Sequence, residues 1–377
     1  MKHIIKCIVC VVVVSNLSNL YAGKTQSCFK KTQPPQVIQT DLTERSGHTT
    51  WMADMAGQIA TVPLNRVVLP GTHDAGTCDI TEESKFIPNI TQEPFLKDLI
   101  KAHEALFSKS SLVRRIAAKW AKAQSTSIAQ QLVDGIRYFD LRPGYDDEDD
   151  RFKIHHGLFS TNVDDVLQAF KEFAEQYPQE IVVVSFKIFV NMDQDRHARL
   201  IHDVSTVLGD CLISRKKIST TSTLQDIWNT KKQIVCLYGD NNYLKNDYLW
   251  SYNTIHTVWP NTTDLSIFKQ KLTEALTQRP ESDANFFDLG CSLTPQIETI
   301  VKGQAGEIFG VLLPGRTDAI DSLEELAEQA NPTIVKLINT WRNQGVLSKV
   351  NIISIDWYTN FDFVALVQRI NMERAKK

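Results

Sequence analysis

Six polar side chains of this chain stand where its apolar runs stop. His73 and Asp74 follow Val67-Val68-Leu69 across a turn punctuated by Pro70, Gly71 and Gly76. Arg142 follows Ile136–Leu141, His156 follows Phe152–His155, Lys187 follows Ile181–Phe186, and Asp356 follows Asn351–Ile355. An imidazole at neutral pH can take or give a proton, and a neighbouring carboxylate can orient it. The set holds two imidazoles, two carboxylates, one guanidinium and one ammonium. That is short of the oxygen ligands a hard divalent cation wants, and no serine or cysteine sits in a nucleophile elbow. Two histidines beside a guanidinium suit cleavage of a phosphodiester by a hydroxyl of the substrate itself. One imidazole removes the hydroxyl proton, the other protonates the leaving alkoxide, and arginine meets the charge growing on the phosphoryl oxygens.

Strands that end together on one face would gather these groups. Val163–Tyr177 predicts an amphipathic helix stopped by Pro178, and the spacing predicts further helices over Asp193–Leu208, Thr223–Trp228, Asp264–Thr277, Pro332–Trp341 and Phe361–Ile370. Strands are expected at Ile234–Tyr238, Ile255–Val258, Ala284–Phe287 and Ile308–Leu312 as well. Strands alternating with helices, without a linker, predict an α/β protein built as one parallel barrel over residues 49–377. Trp51, Met55 and Ile59 mark a short helix ahead of the first strand. The run Asp146–Asp150 reads as a solvated acidic turn.

Between the His73 turn and the next strand, helical spacing over Phe95–Phe107 and Leu112–Trp120 predicts two surface helices. Their polar positions are mainly basic: Lys97, Lys101, Lys109, Arg114, Arg115, Lys119 and Lys122 against Asp98 and Glu104. This region, 95–122, is the place for transient contact with an anionic membrane surface. His48, His103, His197, His202 and His256 have no strand-end setting and read as surface or core.

Lys2, Lys6 and the apolar run Cys7–Val14, followed by small residues to Ala22, have the layout of a secretory signal peptide spanning 1–22. The expected product is a secreted protein with a loosely held segment at 23–48. The formal charge of −3 becomes −5 without Lys2 and Lys6, so nothing marks a nucleic-acid partner. Five cysteines remain after the leader: Cys28, Cys78, Cys211, Cys236 and Cys291. Lacking a C-x-x-C pattern, they predict one or two disulfides and a buried thiol. Asn89-Ile-Thr91 and Asn261-Thr-Thr263 are N-glycosylation acceptor patterns.

The ordered segments Leu-Pro-Gly-Thr-His73-Asp-Ala, Lys119-Trp-Ala-Lys-Ala-Gln124, Gln131 through Arg142, His156-Gly157, Val184-Ser-Phe-Lys187 and Asn351 through Asp356 are similar to a known family. Over Trp51 to Asn371 the chain resembles the phosphatidylinositol-specific phospholipase C X-domain proteins, both the bacterial enzymes and the eukaryotic X-domain-only group. The resemblance implies an irregular TIM barrel. It implies His73 as general base oriented by Asp356, His156 as general acid paired with Asp74, Arg142 as the phosphate-stabilising residue and Lys187 as a substrate contact. Lys187 falls where a calcium-dependent relative carries glutamate, and Asp74 where it carries asparagine. Both departures imply a site that needs no metal or other cofactor.

The reading is therefore a secreted, monomeric phosphodiesterase of phospholipase C type, acting on phosphatidylinositol or a related phosphodiester through a cyclic inositol phosphate. Two rivals stand beside it. A magnesium-dependent glycerophosphodiesterase or sphingomyelinase D wants a Glu-x-Asp pair where this chain has Asp140-Leu-Arg142. A catalytically idle lipid-binding protein would use the basic 95–122 region alone.

Overall fold

Short apolar runs bounded by turn residues become strands buried on both faces, the pattern of a parallel sheet covered by helices. The structure, a computed structural model, describes residues 48–88, 111–296, 299, 300, 303 and 320–376. The strands are β1 (Leu69–Thr72), β2 (Tyr138–Leu141), β3 (Pro143–Asp146), β4 (Arg151–His156), β5 (Leu158–Asn162), β6 (Val182–Phe186), β7 (Ile234–Tyr238), β8 (Leu249–Ser251), β9 (Ile255–Val258), β10 (Phe286–Gly290) and β11 (Ile352–Ile355). Eight of them form one curled parallel sheet in the order β8-β7-β6-β2-β1-β11-β10-β9, an irregular TIM barrel. Its two edge strands are consecutive in the chain, joined only by a 3₁₀ turn at Tyr252–Thr254. One kinked run therefore pairs with β7 on one side and with β10 on the other.

The main helices are α1 (Ser111–Ala121), α2 (Ile128–Val133), α3 (Val163–Gln176), α4 (Gln194–Leu208), α5 (Leu224–Asn229), α6 (Leu265–Gln278), α7 (Leu323–Asn343) and α8 (Phe363–Ala375). In α3, Val163, Val166, Leu167, Phe170, Phe173 and Ala174 form the buried stripe. Phe170 meets Phe139 of β2 edge to face at 5.0 Å, which fixes the helix on the outer face of the barrel. Among the described residues no helix is long and apolar enough to cross a membrane.

Several expectations change. The expected helix over Phe95–Phe107, the strand at Ile308–Leu312, Cys28, the Asn89 acceptor and residues 1–47 lie outside the described residues. Helix α7 begins at Leu323, capped by the Ser322 side chain, so Pro332 lies inside the helix. Apolar residues buried on both sides of that proline, Leu326 and Ala330 before it and Ile334 and Ile338 after it, outweigh its lost hydrogen bond. The acidic turn is not simply solvated, because Lys85 and Lys153 both reach Asp146, at 3.3 and 3.0 Å, and Asp146 is buried. Cys78, Cys211, Cys236 and Cys291 are free thiols, so the expected disulfides do not form among the described cysteines. Cys236 within β7 and Cys291 just past β10 are packed as small apolar residues in the core.

Candidate active site

Strand register explains how residues far apart in sequence meet. Thr72 of β1 pairs with Ile355 of β11, so the next residues, His73 and Asp356, emerge side by side at the same barrel end. Leu141 of β2 pairs with Phe186 of β6, and Arg142 and Lys187 emerge together in the same way. Thr72 also pairs with Phe139, which sets Asp140 level with His73. His156 arrives differently from the expectation of a barrel strand end. It closes β4 of a three-stranded antiparallel excursion, β3-β4-β5, inserted between β2 and β6. The His155 amide donates to the Arg142 carbonyl at 2.9 Å and turns the hairpin back over the rim.

The six predicted residues come together. His73 Nδ1 lies 2.8 Å from Asp356 Oδ1. With Nδ1–H donating to that carboxylate, the neutral ring carries its lone pair on Nε2, which faces Asp74 Oδ2 at 3.2 Å and an Arg142 amino group at 3.0 Å. His156 donates from Nδ1 to the Ala121 carbonyl at 2.8 Å, which turns its Nε2 toward Asp74 Oδ2 at 3.4 Å. Asp74 thus touches both imidazoles, and its other oxygen forms an ion pair with Arg142, 2.7 Å from Nε. The rings of His73 and His156 stand 6.2 Å apart, nearly perpendicular. Lys187 pairs with Asp140 at 3.1 Å. His155, the neighbour most easily confused with His156, points away and meets the Ile188 carbonyl at 3.0 Å.

Charge follows from burial and these neighbours. Burial disfavours a protonated His73, but Asp74 and Asp356 outweigh it and raise its pKa above the ordinary 6.5. Burial also opposes ionisation of Asp140, yet Lys187 and Arg142 hold its carboxyl below the usual range. Burial opposes the charge on Lys187, and Asp140 restores it. Deeper in the barrel, Asp288 of β10 accepts from Ser354 Oγ at 2.7 Å, and burial pushes its carboxyl up to about 6.

Several residues here carried no individual assignment from the sequence. The Gln124 amide donates to the carbonyls of His73 and Ile355, at 2.9 and 2.8 Å, clamping the ends of β1 and β11. Its only sequence signal was membership of the Lys119–Gln124 segment. Thr77 Oγ1 donates to the Asp74 carbonyl at 2.8 Å and supports the left-handed Asp74 backbone, φ 46°. Trp259, past β9, lies against His73 with ring centres 4.5 Å apart and carried no motif at all. The hairpin bearing His156 rests on Gly76, where a Cβ would stand 2.9 Å from Ile154 Cγ2. Gly76→Ala is expected to cost about 1–3 kcal/mol by overpacking and to slow turnover by shifting His156 from Asp74. Urea unfolding measures the first effect and product release at permissive temperature the second.

His73, Asp74 and Asp140 place three donor atoms within 4.8 Å of one another. The set fits a cation poorly, because Arg142 and Lys187 already neutralise the two carboxylates.

A barrel rim carrying two imidazoles, a guanidinium and an ammonium is that of a phospholipase C-like protein. The family described as phosphatidylinositol-specific phospholipase C, X domain, matches residues 106–238. Mouse PI-PLC X domain-containing protein 2 is 30% identical over 325 residues, covering 85% of this chain and 87% of that protein. Mouse PI-PLC X domain-containing protein 3 is 28% identical over 323 residues, covering 85% and 92%. The chain belongs to the PI-PLC X domain-containing family. Its fold is also that of the phosphatidylinositol-specific phospholipase C from Listeria monocytogenes, with a TM-score of 0.57 at 16% identity over 86% of this chain and 98% of that one. A Staphylococcus aureus phosphatidylinositol-specific phospholipase C gives 0.56 at 15% identity over 86% of this chain and 98% of that one.

Proposed function

We propose that this protein is a secreted phosphodiesterase of phospholipase C type that cleaves phosphatidylinositol by general acid–base catalysis without a metal. The observation that carries the reading is Asp74 held between two nearly perpendicular imidazoles and one guanidinium. A substrate hydroxyl, the inositol 2-hydroxyl in phosphatidylinositol, gives its proton to His73 Nε2 as its oxygen attacks phosphorus. The bond from phosphorus to the glycerol oxygen breaks, and that oxygen takes the proton from His156 Nε2. Diacylglycerol and a cyclic inositol phosphate leave. Arg142 and Lys187 supply positive charge where it grows on the phosphoryl oxygens. Asp356 keeps the His73 proton on Nδ1 and stabilises the imidazolium formed.

A cleft of about 370 Å³, lined by Ile80, Arg115, Lys119, Lys122, Glu324 and Trp357 among others, adjoins this rim and supports transient contact with lipid. The face is less free than its sequence suggests, since Arg114 donates to the carbonyls of Glu82, Glu83 and Ser84, and Lys119 pairs with Asp321 at 2.7 Å. The reading keeps a leader at 1–22, a tail at 23–48 and a monomeric barrel at 49–377, and the exposed Asn261 suits a glycan.

Phosphorus NMR of the protein with phosphatidylinositol vesicles in excess chelator is expected to show a cyclic phosphodiester. Activity that chelator abolishes and magnesium or calcium restores would overturn the metal-free mechanism. Vesicle binding with no product under any condition would leave the lipid-binding reading.

A further inference from the structure

We propose that Trp259 is a positioning residue for His73, an aromatic face that stabilises the imidazole in its protonated form; the catalytic part of this inference rests on the function proposed above. The imidazole is buried apart from a small exposed part. Asp356, from the end of β11, holds Nδ1, and Asp74 and Arg142 hold Nε2. Asp140 of β2 lies 3.8 Å from Nε2, and His156 of the hairpin presents its ring at 6.2 Å. Lys187, beside Arg142 at the rim, and Asp288, deeper in the barrel, add charge from farther away. The ring face is left to Trp259, whose indole lies 4.5 Å away at an interplanar angle of 37°.

Its place is built into the fold. Trp259 directly follows β9, and the next carbonyl, of Pro260, accepts from Lys271 Nζ of α6 at 2.8 Å. Neighbouring β10 carries Gly290 beneath the indole, where a Cβ would come within 2.6 Å of Trp259 Cε3. The absent side chain at 290 is what lets the indole reach the imidazole. A neutral imidazole gains only packing from this contact. An imidazolium gains cation–π attraction as well, which is strongest with tryptophan and under desolvation. His73 is 6% exposed, so the desolvated case applies. Because a general base acquires its charge as it takes the proton, the attraction grows toward the transition state.

Tryptophan fluorescence tests the contact without turnover, because an imidazolium quenches a touching indole more strongly than a neutral imidazole does. The wild-type emission minus that of Trp259→Phe is expected to fall as pH drops from about 9 to 4 through the His73 titration. In a His73→Ala background the step should vanish. A difference that is flat with pH, or a step that survives His73→Ala, overturns the inference.

With phosphatidylinositol vesicles, Trp259→Leu keeps an apolar cover but removes the π face. It should lose about 2- to 30-fold in kcat/KM and move the acid limb of the profile down by about 0.4 to 1.5 pH units. Trp259→Phe should retain most of both. A leucine variant whose limb stays in place overturns the inference. Absence of turnover in wild type counts against the proposed function alone, and the fluorescence step then decides this one.

Discussion

Replacing His73 by alanine is expected to lower turnover of phosphatidylinositol by about 10²- to 10⁴-fold, and replacing His156 should do the same. The two losses arise at different bonds. Without His73 the attacking hydroxyl loses its imidazole base: Asp356 sits behind the ring, 2.8 Å from Nδ1, and the nearby carboxylates of Asp74 and Asp140 are already paired with Arg142 and Lys187. Without His156, the glycerol oxygen must leave as an unprotonated alkoxide. A substrate with a more acidic leaving group should therefore rescue His156→Ala and leave His73→Ala slow. Both variants should fold, since Gln124 clamps the ends of β1 and β11 through backbone carbonyls that alanine retains. Release of the cyclic product, with circular dichroism as the check on folding, measures this. A rate within tenfold of wild type in either variant would remove that residue from the mechanism.

Glu180→Gln is expected to destabilise the protein by about 3–5 kcal/mol while leaving the chemistry intact at permissive temperature. Glu180 and Arg137 are both fully buried and paired at 2.7 Å, at the barrel end opposite the candidate site. Arg137 also donates to the carbonyls of Leu132 and Ile136, at 2.9 and 2.8 Å, and lies over the Phe173 ring. Glu180 accepts from the Ala53 amide at 2.9 Å, tying the helical turn Trp51–Asp54 to the base of β6. Removing the negative partner leaves a buried guanidinium without its counter-charge, and desolvation already disfavours that charge. Replacing both partners, as Arg137→Met with Glu180→Leu, should recover much of the loss because no buried charge remains. Urea denaturation of wild type and the two variants decides it, and a Glu180→Gln variant as stable as wild type would refute the account.

Much of the barrel was legible because the information is local. Ile234–Tyr238 and Ile255–Val258 are strands with the bounds the apolar runs predict, and Val163–Gln176 differs from its predicted helix by one residue. An apolar run bounded by turn residues needs no distant partner to be read. Helix α7 was misread because Pro332 carries a strong local signal for a helix start, whereas the stripe that overrides it draws its stability from packing against the rest of the fold. The cysteine count misled for a similar reason. It records what could pair and says nothing of distance, and Cys236 and Cys291 are embedded in the core as free thiols.

By itself, the sequence determined that Arg142, Lys187 and Asp356 reach the rim, because each sits one step past an apolar run where a barrel strand ends, whereas His156 reaches it from a hairpin. It also determined the α/β class through the alternation of those runs with helices. The pairing of His73 with Asp356 came only as an implication of resemblance. The tertiary structure decided it through the parallel register of β1 and β11, a contact between strands 283 residues apart that no local pattern encodes. It decided that Asp74 touches both imidazoles, where the resemblance had assigned it to His156 alone. It placed Trp259 on the face of His73 too, because β9 and β10 set an indole over a glycine, and neither strand carries a signal of the other in its own residues.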